Sequence, residues 1–325
     1  MESGLFLTYT NEGFALKTLK VYRHGFTCGT APTKNDHTRE KRSTVAGWSQ
    51  GAARRNTQFL RSVFEPDLHT DDQGNPLRAI ALTLTLQKCP ATGAHWHKLR
   101  RAFLKRCERI GLYRCHWVTE WQRRGVPHLH GAFWFPENVS HWDVLNHWVQ
   151  AASEHGAQLG AQYALPITDA VGWFKYLSKH AARGVNHYQR SPENVPAGWK
   201  GKTGRVWGKT GEWPVREPVA LEMDSAAYYS LRRIVRRWRI AHARSDCIRD
   251  AVHLARRRDP ELRRYDFDRV ARLVGAYSSI TRARGMLRCT DPKLSSVRGV
   301  SDWLPEQSQL QILYHLRSLG HAITC

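Results

Sequence analysis

The feature that most constrains the fold is a pair of strand-like segments joined by a short turn. Residues 113–122 and 128–135 have the residue pattern of β-strands, and the few residues between them include a glycine. A connection of only about three residues that contains glycine predicts a β-hairpin. If the hairpin is centred on Arg124, Glu120 lies directly opposite His128.

The segments around this hairpin predict a split βαβ arrangement. In residues 79–86 leucine alternates with threonine, which is the period-2 signature of a strand with one apolar face. The other predicted elements are a strand at 161–167 and helices at 47–63, 96–110, 141–154 and 168–183. This order predicts an α+β fold of the ferredoxin or RRM-like type, in which an antiparallel sheet has helices on one face.

Changes in composition divide the chain into three predicted regions. Residues 1–76 form an N-terminal extension or subdomain that ends at a polar turn, and residues 77–217 form the α+β domain. Residues 218–325 form an arginine-rich helical domain, because Leu231 and Val235 recur there at helical spacing beneath many arginines.

The overall charge restricts the class of partner. The chain of 325 residues holds 50 Lys and Arg against 28 Asp and Glu, a formal net charge of +22, which favours a polyanion such as nucleic acid. Its hydrophobic share of 41% excludes a disordered basic tail. We expect a soluble intracellular protein with no membrane partner and with reduced cysteines. The sequence lacks long apolar segments and a signal-peptide pattern, and its seven cysteines are scattered.

Basic residues concentrate in the C-terminal region. Residues 232–288 contain 17 arginines against six acidic residues, which favours contact with DNA phosphates over a merely solvated helix face. A glycine-rich basic loop at 198–210 is a second candidate phosphate contact. The candidate DNA-binding residues are Lys202, Arg205, Lys209, Arg232, Arg233, Arg236, Arg237 and Arg239.

The hairpin also predicts a metal site. A strand places residues two apart on the same face, so the imidazoles of His128 and His130 project together. Glu120, opposite His128, adds a carboxylate to the same face. Two nitrogen ligands and one oxygen ligand with open positions suit Mn²⁺ or Mg²⁺ acting on a phosphate. The structural alternative is a half-buried pair of strand histidines.

Tyr176 and Lys179 form the second candidate catalytic element. In a helix, residues three apart are neighbours on one face, so the phenol and the ammonium group lie close together. A tyrosine can act as a covalent nucleophile when its oxyanion is stabilised, which an adjacent lysine and a metal-polarised phosphate would provide. Without a metal site nearby, the same spacing would indicate a packing tyrosine beside a solvated lysine.

Three motifs, in this order, resemble those of the HUH endonucleases that initiate rolling-circle replication in single-stranded-DNA bacteriophages and plasmids. The first motif is similar to Leu82-Thr83-Leu84-Thr85, and the paired-histidine motif to Pro127-His128-Leu129-His130-Gly131. The tyrosine motif is similar to Tyr176-Leu177-Ser178-Lys179, and a stretch that follows it in phage initiators is similar to residues 204–208. The resemblance covers residues 79 to 215.

The resemblance implies a metal-dependent DNA endonuclease and strand transferase. Such an enzyme nicks single-stranded origin DNA through a covalent 5′-phosphotyrosine, with Tyr176 as nucleophile and Glu120 as the acidic third ligand. It acts in the cytoplasm of a bacterial host, whose helicase and polymerase work in trans. Phage members often have two tyrosines one helical turn apart, whereas the residue four after Tyr176 is His180. A single-tyrosine enzyme is therefore predicted, with Tyr163 and Tyr188 interpreted as packing residues.

Two alternative functions stay open on the sequence. A conjugative relaxase would use an N-terminal tyrosine, for which Tyr9 is available, and a third histidine, for which His116 is available. A non-enzymatic DNA-binding protein or repressor would use the arginine-rich helices, and its histidines would be structural.

Overall fold

The computed structural model describes residues 16–30, 47–182, 188–261, 263, 266–273 and 300–325. The chain forms two compact units. One contains 22–24 and the described residues of 37–217, and the other contains the described residues of 1–21, 25–36 and 218–325.

The unit that contains the hairpin is built on a five-stranded antiparallel sheet with strand order β6-β3-β5-β4-β7. Its helices are α1 (Gln50–Ser62), α2 (Gly93–Arg109), α3 (His141–Ala151) and α4 (Ala170–Ala182). Its strands are β3 (Leu77–Leu84), β4 (Arg114–Trp121), β5 (Pro127–Pro136), β6 (Tyr163–Pro166) and β7 (Trp207–Thr210). The chain order β3-α2-β4-β5-α3-β6 confirms the predicted split βαβ fold.

The hairpin has the predicted register. Glu120 pairs with His128 in the β4–β5 ladder, and the turn between the strands contains Gly125 with a φ of 74°. This left-handed conformation has little steric cost for glycine and explains why the short connection contains one. Since paired residues share a face of the sheet, the face that carries His128 is called the histidine face below.

Helices cover both faces of the sheet. The crossover helices α2 and α3 pack on the face opposite the histidines, where Phe103 contacts Phe133 with ring centroids 5.9 Å apart. Helix α4 packs on the histidine face, where Phe174 contacts Trp134 at a centroid distance of 6.4 Å. Helix α1 lies there too, since its Asn56 is hydrogen-bonded to a histidine of β4. The tyrosine of α4 is therefore held above the histidine face.

Local sequence explains where α3 and α4 begin. Ser140 and Asp143 form a reciprocal capping box at the start of α3. The Asp169 carboxylate accepts a hydrogen bond of 2.8 Å from the Gly172 amide in the first turn of α4. Such caps satisfy amides that have no partner within the helix.

The other unit contains a second five-stranded sheet, of order β10-β8-β1-β2-β9. Its strands are β1 (Lys17–Tyr22), β2 (Gly25–Thr30), β8 (Val219–Met223), β9 (Val300–Trp303) and β10 (Ile323–Thr324), and its long helices are α5 (Ser225–Arg258) and α6 (Glu306–Ser318). Leu231 and Val235 of α5 are buried in its core, as the helical spacing predicted. Strands β1 and β2 come from the stretch interpreted as an N-terminal extension.

Within the described parts of the chain, no helix is both long and apolar enough to cross a membrane. The cysteines that the structure describes are free, and Cys28, Cys107 and Cys115 are buried. Burial raises the pKa of Cys28 and of Cys115 to about 12, so these thiols are unreactive packing residues.

Candidate active site

The two histidines of β5 lie side by side on the histidine face. The ring centroids of His128 and His130 are 5.6 Å apart, as expected for residues two apart on a strand. Glu120 is paired with His128, and Thr83 of β3 is paired with His130. The structure thus brings together the carboxylate and both imidazoles that the sequence singled out.

Thr83 orients the imidazole of His130. A hydrogen bond of 2.9 Å joins the Thr83 hydroxyl to Nδ1, and Nε2 of the ring lies 3.7 Å from Oε2 of Glu120. Metal-binding histidines characteristically hold one ring nitrogen in such a bond and present the other to the ion. The threonine of the first motif was singled out in the sequence without a role, and the paired register supplies one.

His128 is a neutral imidazole with both nitrogens unused. Burial, and secondly the neighbouring His130, lower the pKa of His128 to about 4. Neither of its ring nitrogens has a hydrogen-bond partner in the described parts of the chain. A buried polar group without a partner is costly, so this ring suits a ligand such as a metal ion or a phosphate.

Arg190 is a site residue that sequence reasoning missed. Its Nε donates to Oε1 of Glu120 across 2.6 Å, and both side chains are fully buried. Its guanidinium also lies 3.7 Å from the ring centroid of Trp48 and donates to the backbone oxygen of Leu177 in α4. Arg190 therefore links the carboxylate to the helix that holds the tyrosine. No sequence signal distinguishes this arginine from the many exposed ones.

Tyr176 lies next to the histidines. Its ring is 6.4 Å from that of His130, in an edge-on arrangement, and it stacks on Trp173 at 5.0 Å. It is 39% exposed, so a substrate could reach the phenol. Lys179 lies one turn further along α4, but its side chain is outside the described residues, as is that of His180.

The donor set fits a metal ion in part. In the described ranges, no group of three or more His, Cys, Asp or Glu side chains is arranged to hold one. Glu120 is engaged by Arg190, so its carboxylate is not arranged as an open third ligand. The unpartnered nitrogens of His128 and the Thr83-oriented ring of His130 fit two ligands of such a site.

His116 is not part of this group. It is buried on β4, its Nε2 donates across 2.7 Å to the Asn56 side chain, and its ring stacks with that of Phe59. Burial lowers its pKa to about 3, so it is a neutral core residue. The histidine that a relaxase would need is thus occupied in packing. Tyr9, the tyrosine of that alternative, lies outside the described residues.

Several candidate DNA-binding residues are accessible. Lys202, Arg205 and Lys209 are exposed on and before the edge strand β7, and Lys209 lies over the ring of Phe59. In α5 the exposed ones are Arg232, Arg233 and Arg237, whereas the side chains of Arg236 and Arg239 lie outside the described residues.

The interpretation of Tyr163 as a packing residue is wrong. Its side chain is 52% exposed, because β6 is the edge strand and α4 does not cover it. The side chain of Tyr188, interpreted in the same way, is outside the described residues.

Comparison with known proteins places this fold and site in one class. A family model for the ORF2 type of replication-associated protein matches residues 79–181, the stretch that contains all three motifs. No solved structure matches the chain.

Relatives match almost the whole chain. The replication-associated protein of Pseudomonas phage Pf3 is 46% identical over 311 residues, which cover 94% of this chain and 99% of that protein. Two provisionally named replication proteins of Xylella fastidiosa also match. The one from strain 9a5c is 42% identical, with 95% of this chain and 99% of that protein covered. The one from strain Temecula1 is 47% identical, with coverages of 89% and 99%. The chain belongs to this family of phage replication-associated proteins, which confirms the resemblance drawn from its motifs.

Proposed function

We propose that this protein initiates rolling-circle replication by nicking and rejoining single-stranded DNA at an origin, with Tyr176 as the nucleophile. One observation carries the proposal: the partly exposed Tyr176 ring lies edge-on to His130, beside the unpartnered nitrogens of His128. A nucleophile next to groups that can bind a phosphate or its metal ion is the arrangement that phosphoryl transfer needs. The replication-associated relatives support the biological role.

The proposed reaction is a transesterification. The Tyr176 phenol loses its proton, and its oxygen attacks the scissile phosphorus and forms a P–O bond. The P–O3′ bond of the DNA breaks, and the leaving 3′ oxygen takes up a proton. The product is a 5′-phosphotyrosine with a free 3′-OH, so the bond energy is kept for rejoining when a later 3′-OH attacks. A host polymerase would extend the 3′ end while a host helicase separates the strands.

The residues that would hold a divalent ion are His128, His130 and Glu120. Bound Mn²⁺ or Mg²⁺ would polarise the phosphate and offset its charge during the transfer. His128 stays neutral at physiological pH because burial lowers its pKa to about 4, so no proton competes with a ligand there. Thr83 holds the His130 ring, and Arg190 holds Glu120. Lys179, from its helical spacing, would orient the phosphate.

Covalent trapping tests the proposal. The full chain is incubated with Mn²⁺ and overlapping single-stranded oligonucleotides that cover the replicon encoding it, and protein–DNA adducts are resolved by denaturing electrophoresis. We expect an adduct with one set of oligonucleotides, which Tyr176→Phe abolishes. Tyr314→Phe is the matched control, because Tyr314 is 68% exposed in the other unit. An undiminished adduct from Tyr176→Phe would exclude Tyr176 as the nucleophile.

The same assay separates an enzyme from a non-enzymatic DNA-binding protein. With EDTA, an enzyme loses cleavage and keeps DNA binding. If no divalent ion supports cleavage while binding is intact, the protein is a binder without nuclease activity. A relaxase-type mechanism predicts instead that Tyr9→Phe, and not Tyr176→Phe, removes the adduct.

A further inference from the structure

The exposed Tyr163 lies in line with the histidines. In the sheet, Tyr163 pairs with Thr83, and Thr83 pairs with His130, so the three side chains share the histidine face in one row. Two strand spacings separate the backbones of Tyr163 and His130, which is about 10 Å. An aromatic ring that is 52% exposed is thus placed beside the candidate active site rather than in the core.

A cavity opens next to this row. It has a volume of about 180 Å³, and its lining includes Thr85, Gln87, Arg124, Gln158 and Gln162. Thr85 follows Thr83 by two residues, so the cavity begins about 7 Å along the chain from the row that holds His130. That distance can be bridged by one nucleotide of a DNA strand whose phosphate lies at the histidines.

The walls of the cavity are fixed by hydrogen bonds. The Gln162 amide accepts from the Thr85 backbone N–H and donates to the Gln158 carbonyl, each across 2.7 Å. The Arg124 guanidinium donates to the Gln87 carbonyl at 3.0 Å. A site held in this way needs little ordering when a ligand binds.

The groups that face the cavity suit a nucleobase. The side chains of Gln87 and Gln158 are exposed, and each amide offers both a donor and an acceptor for the edge of a base. Gly156 packs against the Gln87 side chain, since a Cβ at that glycine would lie 2.6 Å from Gln87 Oε1. Tyr163 supplies a ring on which a base can stack, and such stacking is the usual way in which proteins hold single-stranded DNA.

We propose that Tyr163, Gln87 and Gln158 form a nucleobase subsite that holds one base of single-stranded DNA adjacent to the phosphate at the histidines. This inference rests on the proposed function for its substrate, but it concerns binding and not cleavage. Tyr163 stacks on the base and the two amides contact its edge. The subsite would help to choose the cleaved phosphate, because it positions the strand relative to Tyr176.

An abasic scan in the full-length Tyr176→Phe protein tests the subsite with EDTA present. An oligonucleotide that binds the protein is made with one abasic site at each position in turn, and affinity is measured by fluorescence anisotropy. We expect one abasic position to weaken binding about tenfold. In the Tyr163→Ala variant, binding of the intact oligonucleotide falls to a similar extent, and that abasic position has no further effect.

Control variants distinguish stacking from other roles. Tyr163→Phe keeps the ring and should keep the full abasic profile, and Gln87→Ala with Gln158→Ala should weaken the same position. Trp142→Ala removes another aromatic side chain, 55% exposed, on α3, which packs against the opposite face, and should change nothing. Equal losses in Tyr163→Phe and Tyr163→Ala, or an abasic profile that Tyr163→Ala leaves intact, would overturn the proposal. Because no cleavage is measured, failure of Tyr176 as nucleophile would leave this result unaffected.

Discussion

Arg190 and Glu120 form a fully buried ion pair, with 2.6 Å between Nε and Oε1. Removing one partner leaves the other charge buried and unpaired, which costs more than the pair itself contributes. We therefore predict that Arg190→Ala lowers the free energy of unfolding by about 3 to 5 kcal/mol, measured by urea denaturation. The half-exposed pair of Arg23 and Glu65, 3.0 Å apart, gives the control. Arg23→Ala should cost at most about 1 kcal/mol, and similar losses in both variants would contradict the buried-pair argument.

The bond between Thr83 and His130 predicts a selective effect on metal binding. Thr83→Val keeps the shape of the side chain but removes the hydroxyl that orients His130. We expect Mn²⁺ affinity to fall about 10- to 100-fold, measured by titration of the manganese EPR signal, and adduct formation to fall with it.

Thr210→Val is the matched control for that substitution. Thr210 lies on β7 of the same sheet, where its hydroxyl contacts Cys115 at 3.1 Å and no histidine. Manganese affinity should be unchanged in this variant. Equal affinity in the Thr83 variant and the unmodified protein would show that the hydroxyl does not support a metal ligand.

His116 predicts a pH dependence of stability. Its pKa is about 3 in the folded protein because of burial, against 6.5 when exposed. Between these values the unfolded chain binds the proton and the folded protein does not, so stability is complete above pH 6.5 and declines as the pH falls towards 3. The decline attributable to this one histidine is on the order of 3 to 5 kcal/mol.

Thermal unfolding across that pH range checks the assignment to His116. His116→Gln removes the titrating group while keeping an amide that can face Asn56. Its stability should fall less steeply between pH 6.5 and pH 3 than that of the unmodified protein. An identical slope in both proteins would place the acid sensitivity elsewhere.

The exposed arginines of α5 predict the salt dependence of DNA binding. Each cation that neutralises a phosphate of single-stranded DNA releases counterions, so the slope of log affinity against log salt changes by about 0.7 per contact. Arg232→Ala with Arg237→Ala should therefore reduce the magnitude of the slope by roughly 1.4, measured by fluorescence anisotropy from low to high salt. The position of the nick should not move. An unchanged slope would mean that these arginines form a solvated face that does not contact DNA.

Much of the fold could be predicted because the relevant patterns are local. The alternation in β3, the short glycine-containing turn and the caps of the helices each act over a few residues, and the structure has these elements close to the predicted bounds. The hairpin was informative for the site as well. Its register follows from the turn, so the pairing of Glu120 with His128 was available from the sequence.

The sequence alone thus determined the split βαβ order, the three motifs and the shared face of Glu120, His128 and His130. Only the tertiary structure decided which distant residues complete the site. Arg190 is 70 positions from Glu120, and Tyr163 meets Thr83 across a ladder between strands 80 positions apart. Neither contact has a local signature, because the burial of Arg190 and the exposure of Tyr163 depend on what packs over each position. Composition and periodicity are properties of neighbours along the chain, whereas that covering is a property of the folded sheet.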